Sequence, residues 1–112
     1  MINNYSFGKI IINNKTYDHD LILFEGKITD WWRKEGHVVD IKDLKDLPED
    51  FNVLVIGNGA SGVCDVPQKT IDYIKNDLGV ELVIQMTGEA VKTYNKLLDE
   101  GRKVVGAFHL TC

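Results

Sequence analysis

The chain has 112 residues, 44% of them hydrophobic and 27% charged, the size and composition of one ordinary globular domain. A formal net charge of −4 argues against nucleic-acid or anionic-membrane surfaces, which draw on concentrated Lys and Arg, and two cysteines are too few for a secreted disulfide framework. No apolar run nears the roughly 18 residues of a membrane span, and Met1-Ile2-Asn3-Asn4-Tyr5 lacks the basic and apolar regions of a signal peptide, so a cytoplasmic location is expected.

Residues 5–13, with Phe7, Ile10, Ile11 and Ile12, read as a strand, and Asn13-Asn14-Lys15 as a turn. Thr16 to Phe24 reads as a second strand, antiparallel to the first in a hairpin. Glu25-Gly26-Lys27 turns again, and Ile28 to Trp32 is a third extended segment, followed by Arg33-Lys34-Glu35-Gly36 as a charged, exposed loop. Asp40 to Leu47 predicts a short helix, capped by Asp40 and stopped by Pro48.

Val53-Leu54-Val55-Ile56 is branched and apolar with no polar alternation, which suits a strand covered on both faces. Pro67 opens a helix and Gly79 follows its end, the usual placement of these two residues. Val80 to Met86 is the next strand. Thr87 then caps a helix whose inward face is Ala90, Val91, Tyr94, Leu97 and Leu98, and Val104 to Leu110 is the last strand. The expected fold class is α/β: one domain over residues 1–112, a mixed central sheet in three layers, an amino-terminal β-hairpin and two helices packed on the sheet.

Gly57-Asn58-Gly59-Ala60-Ser61-Gly62 matches G-x-G-x-x-G after a strand, the dinucleotide fingerprint. Its mechanism requires a helix beginning within the motif and an acidic residue about 20 positions on to bind the ribose. Here the helix waits for Pro67, and the next strand ends in Gln85-Met86-Thr87 with no acid at its tip. The glycines therefore read first as backbone punctuation in a bend, and no cofactor is expected. Ser61 lacks the second glycine of a nucleophile elbow, because Val63 stands there. Thr87-Gly88 at a helix start can either cap the helix or hold an anion. His109 and Cys112, three apart on a strand, point to opposite faces and make a poor metal pair. Cys64 and Cys112 would share one edge if the last strand runs parallel to the central one, where they could form a reversible thiol pair. In Trp31-Trp32-Arg33 one indole should pack inward and the other lie near the surface. Aromatic plus arginine is contact chemistry between proteins, against the plainer reading of two tryptophans on a core edge with Arg33 solvated.

These stretches together resemble a known small family, the uncharacterised α/β domain first seen in a methanogen protein (domain of unknown function 498). Asp30-Trp31-Trp32-Arg33, Leu54-Val55-Ile56-Gly57-Asn58-Gly59, Val66-Pro67, Thr87 to Asn95 and His109-Leu110-Thr111-Cys112 carry the resemblance across nearly the whole chain. It implies a three-layer α/β fold with a mixed sheet, which leaves the direction of the last strand open, and no catalytic residue set. The family includes a human adipogenesis-associated protein and, distantly, a mitochondrial complex I assembly factor, which points by analogy to action through other proteins.

Two functions follow as expectations. The first is a cytoplasmic scaffold or assembly-type protein that binds a partner protein, with Trp32, Arg33 and His109 among its contacts, as a monomer or weak dimer. The second is a small-molecule or thiol-redox enzyme at the 57–64 loop. In that case Gly57, Gly59, Ser61 and Gly62 approach a small anionic ligand, Thr87 and Gly88 offer N–H donors, and Cys64 is the nucleophile.

Overall fold

Left-handed turns break the amino-terminal apolar runs into short strands. Asn13 and Asn14 both have positive φ (49° and 68°), as do Glu25 and Gly26 (48° and 79°), the geometry that fits a two-residue hairpin to the twist of its strands. The structure, a computed structural model describing residues 1–112, accordingly starts with β1 (Ile2–Ser6), β2 (Lys9–Ile12) and β3 (Lys15–Tyr17) as an antiparallel three-stranded sheet. The expected strand from Thr16 to Phe24 is in fact two. Asp18-His19-Asp20 interrupts it, and β4 (Leu21–Phe24) joins the main sheet, where it pairs with β5 (Lys27–Asp30). The expected hairpin about Asn13-Asn14-Lys15 is β2 with β3, and the expected strand over residues 5–13 is likewise broken, at Phe7-Gly8, into the end of β1 and the whole of β2.

A 3-10 helix follows at Ile41–Leu44, with the Asp40 side chain accepting from the N–H of Lys42 and the Asp43 side chain from that of Asp40. Then come β6 (Val53–Asn58), α1 (Gln68–Asp72) continuing as a π-helical turn at Tyr73–Asp77, β7 (Glu81–Gln85), α2 (Thr87–Asp99) and β8 (Val104–His109). The five-stranded sheet has the order β5-β4-β8-β6-β7. β6 is parallel to both β7 and β8, and β4 is antiparallel to β8, so the sheet is mixed and the last strand runs with the central one. From β6 to β7 the chain steps one way across the sheet; from β7 to β8 it steps back across β6. Right-handed crossovers in opposite directions put the two helices on opposite faces.

Each face has its own core. Val53, Val55, Val104 and Phe108 pack with Ala90, Val91 and Tyr94 of α2 and with Ile2, Ile10 and Ile12 of the small sheet. Leu54, Ile56, Val105 and Ala107 pack on the other face with Ile74, Trp31, Val39 and Cys64. A strand covered on both sides needs apolar residues at successive positions, and Val53 to Ile56 are all fully buried. Of the expected inward face of α2, Leu98 lies at the border and is exposed.

Candidate functional site

β6, β7 and β8 point the same way, so residues 59–64, 86–88 and 110–112 gather at one edge. The antiparallel β4 and β5 bring Asp20 and Trp31 to that edge as well, since Leu21 pairs with Phe108 and with Asp30. Every sequence-predicted site residue therefore falls at this carboxyl end of the parallel strands.

The glycine loop is closed. The N–H of Gly59 donates to Thr87 Oγ1 (2.9 Å), that of Ala60 to the Thr111 carbonyl (2.7 Å), that of Val63 to the Cys112 carbonyl (3.1 Å) and that of Cys64 to the Asn58 carbonyl (3.0 Å). Gly62 donates to the Gly59 carbonyl at 3.3 Å. Five of the loop's N–H groups that a phosphate or carboxylate could use are thus spent inside the protein, that of Ser61 excepted. The surface depressions of about 650 and 470 Å³ are lined by none of residues 57–64. The glycines serve packing: a β-carbon at Gly57 would stand 2.8 Å from Thr87 Oγ1, and one at Gly59, where φ is +106°, would collide with the Cys112 carbonyl. Ser61 is exposed on the outside of the bend, and Gly88 is half-buried near the Tyr5 ring.

Thr87 does not cap α2 with its side chain, contrary to the sequence expectation. Met86 holds the cap position, with no side-chain hydrogen bond, and Thr87 is fully buried. Its hydroxyl donates to the His109 carbonyl (2.6 Å) while accepting from Gly59, and its N–H donates to the Gly59 carbonyl (3.0 Å). Thr87 latches the loop after β6 to the end of β8. It has no N–H left for an anion.

Arg33 corrects the reading of 33–36 as a wholly solvated loop. Its side chain is 3% exposed. Nη2 donates to Asp20 Oδ2 and to the Gly36 carbonyl, both at 2.8 Å, and the guanidinium lies 4.6 Å over the Trp31 ring. His109 Nδ1 stands 2.7 Å from the same Asp20 oxygen, and Asp20 Oδ1 accepts from the Leu110 N–H at 2.8 Å. An ionised carboxylate can only accept, so Nδ1 carries the proton and donates to it. Nη2 has no third proton for Nδ1, so their 2.8 Å approach is a contact of two donors sharing one acceptor. Burial alone would raise the Asp20 pKa. The hydrogen bonds from His109, Leu110 and Arg33, with the charge of His109, outweigh it and hold the carboxyl below its ordinary value.

The cluster is incompletely satisfied. Arg33 Nε and Nη1 and His109 Nε2 are buried without a partner, and a buried polar group in that state costs about 1–3 kcal/mol. Both side chains border an open depression of about 470 Å³, together with Asp20, Trp31, Trp32 and Gly36. His37 closes on His109 edge to face, with ring centroids 6.1 Å apart. Sequence reasoning missed Asp20. The signal was the tripeptide Asp18-His19-Asp20, three polar residues inside what was read as one strand.

Trp31 is buried, with its indole N–H donating to the Asp43 carbonyl (3.0 Å), while Trp32 is 77% exposed. Trp32 also borders a second depression of about 650 Å³, alongside Lys34, Lys42 and Lys45. The two thiols are free, Cys64 buried and Cys112 exposed. Burial pushes the Cys64 thiol up, against a smaller opposing pull from Arg33. A thiol reagent such as dithionitrobenzoate should therefore modify Cys112 at once and Cys64 only slowly, with full reaction in denaturant; equal fast rates would contradict the burial. No group of three His, Cys, Asp or Glu side chains is placed to hold a metal ion.

Residues 2–109 match the family described as protein of unknown function (DUF498/DUF598). The chain belongs to this family. Its structure is similar to that of a conserved hypothetical protein from Pyrococcus horikoshii, with 27% identity and a TM-score of 0.88 over 100% of this chain and 99% of that one. It is similar to the protein MT938 as well, at 26% identity and a TM-score of 0.79, covering 100% and 98% of the two chains. A Mth938-like domain from Bordetella pertussis shares the fold, at 20% identity and a TM-score of 0.73 over 97% and 84%. Within this DUF498/DUF598 member, two of the stretches that carried the sequence resemblance, Asp30 to Arg33 and His109 to Cys112, meet in the Arg33–His109 cluster.

Proposed function

We propose that this protein works by binding a different protein at the carboxyl end of its parallel strands, as a cytoplasmic factor without catalysis of its own. One observation carries the reading. Of six exposed large apolar side chains, four lie at that end: Phe7 (65%), Trp32 (77%), Val63 (54%) and Met86 (50%). Phe7 comes there because the Gly8 N–H donates to the Leu110 carbonyl (2.8 Å). Met86 touches Gly62, and Val63 is tied to Cys112. Apolar side chains scattered over a surface are ordinary, whereas several at one end of a sheet favour a protein contact there, and tryptophan is among the residues most enriched in such contacts. Arg33 no longer belongs to the exposed patch, and the enzyme alternative at 57–64 draws little support from a loop that spends five of its N–H groups inside the protein.

A photo-crosslinking residue placed at position 32, and separately at Leu98 on the far end of α2, tests the reading in the source cell. Position 32 should give a discrete heavier adduct that position 98 does not, and Val63→Asp with Met86→Asp should remove it. Indistinguishable adduct patterns from the two positions, or an adduct of two copies of this chain, would count against the proposal.

A further inference from the structure

A buried guanidinium ordinarily spends its donors, yet Arg33, with a side chain 3% exposed, leaves Nε and Nη1 without acceptors. His109, with a side chain 6% exposed, leaves Nε2 unpartnered within the same cluster. Both side chains border the depression of about 470 Å³ beneath Trp32, within the roughly 300–1,000 Å³ usual for small-ligand sites. We infer that this depression is a binding site for a small organic carboxylate, held by the Arg33 guanidinium and covered along its apolar part by the Trp32 indole.

The charges disfavour a more highly charged ligand. Asp20 occupies one nitrogen of the guanidinium and neutralises it, while Asp30 adds a second carboxylate to the rim. Two anionic neighbours oppose a doubly charged phosphate far more than a singly charged carboxylate. With Nη2 spent, a carboxylate oxygen is held by a single charge-assisted hydrogen bond from Nη1 or Nε, and the exposed aromatic face beside it provides for an apolar substituent. Gly36 borders the depression from the exposed turn Lys34 to His37, its carbonyl held by Nη2. The site does not depend on any partner protein and stands or falls separately from the docking face.

The test is a titration of the whole purified chain with sodium benzoate, followed through the Arg33 Nε–H and His109 ring signals by NMR and through tryptophan emission. Benzoate should move the Arg33 Nε–H downfield saturably, benzyl alcohol should leave it in place, and inorganic phosphate should bind at least about tenfold more weakly, a difference of about 1.4 kcal/mol. Trp32→Ala, at an exposed position that leaves the fold intact, should weaken benzoate about tenfold while the Nε–H still responds. A Nε–H signal that stays fixed throughout, that responds equally to the alcohol, or that shows a bound water which benzoate does not displace would overturn the assignment. Unchanged affinity in Trp32→Ala would remove the indole from the site.

Discussion

Asp20→Asn should lower the unfolding free energy by about 3–5 kcal/mol, the usual cost of breaking a buried ion pair from one side. That is a large share of the roughly 5–15 kcal/mol available to a domain. The Arg33 guanidinium cannot deprotonate, and its side chain is only 3% exposed. Its counter-ion also holds the His109 ring and the Leu110 N–H, so one substitution loosens the start of β4, the end of β8 and the turn after Trp32 together. Removing both charges with Asp20→Asn and Arg33→Met should restore part of the loss, because no unpaired guanidinium then remains inside. Denaturant titration with linear extrapolation measures both. A loss under about 1 kcal/mol for the single variant would mean that the cluster is solvated and contributes as a surface pair does.

The same pair has a pH signature whose sign follows from the Asp20 shift. The folded-state pKa lies below the ordinary carboxylate value, so the unfolded chain takes up a proton first as pH falls. The contribution of Asp20 is therefore complete above the ordinary value of about 4 and fades as pH drops toward the depressed native value. The stability gap between wild type and Asp20→Asn should accordingly shrink as pH falls below about 4. A gap that widened with acid would reverse the assigned direction.

Much of the scaffold was legible because it rests on local rules. The unbroken run from Val53 to Ile56 could only be a strand covered on both sides, and the spacing of Ala90, Val91 and Tyr94 required a helix with one inward stripe. Alternation also put the two indoles on opposite sides, and the structure makes Trp31 the inward one and Trp32 the outward one. Carried one residue further it turns Arg33 inward, but the charge pointed outward, and the charge was followed. What settles the conflict lies far away in sequence: Asp20 is 13 positions from Arg33 and His109 is 76. A single sequence shows the cost of burying an arginine and hides the partners that offset it. Thr87 misled for the same reason. A threonine at a helix start reads as a cap, and nothing local reveals that Gly59 and the His109 carbonyl converge on its hydroxyl.

Thr87→Val separates those two roles. Valine keeps the shape of the side chain and removes the oxygen, so the close packing against Gly57 survives while the Gly59 N–H and the His109 carbonyl lose their shared partner. Both groups sit where the hydroxyl is fully buried. Two such losses at about 1–3 kcal/mol each predict a destabilisation of about 2–5 kcal/mol. Loss of an N-cap would cost about 1 kcal/mol and would leave the loop unaffected. Thr87→Ser, which keeps the oxygen, should recover most of the difference. Amide hydrogen exchange gives the sharper discrimination. In Thr87→Val the Gly59 N–H should exchange much faster, with the N–H groups of Ala60 and Val63 following as the carboxyl-terminal residues come free of the bend. If protection falls instead only in the first turn of α2, Thr87 is a cap after all and the latch between the two strands is not what holds this edge together.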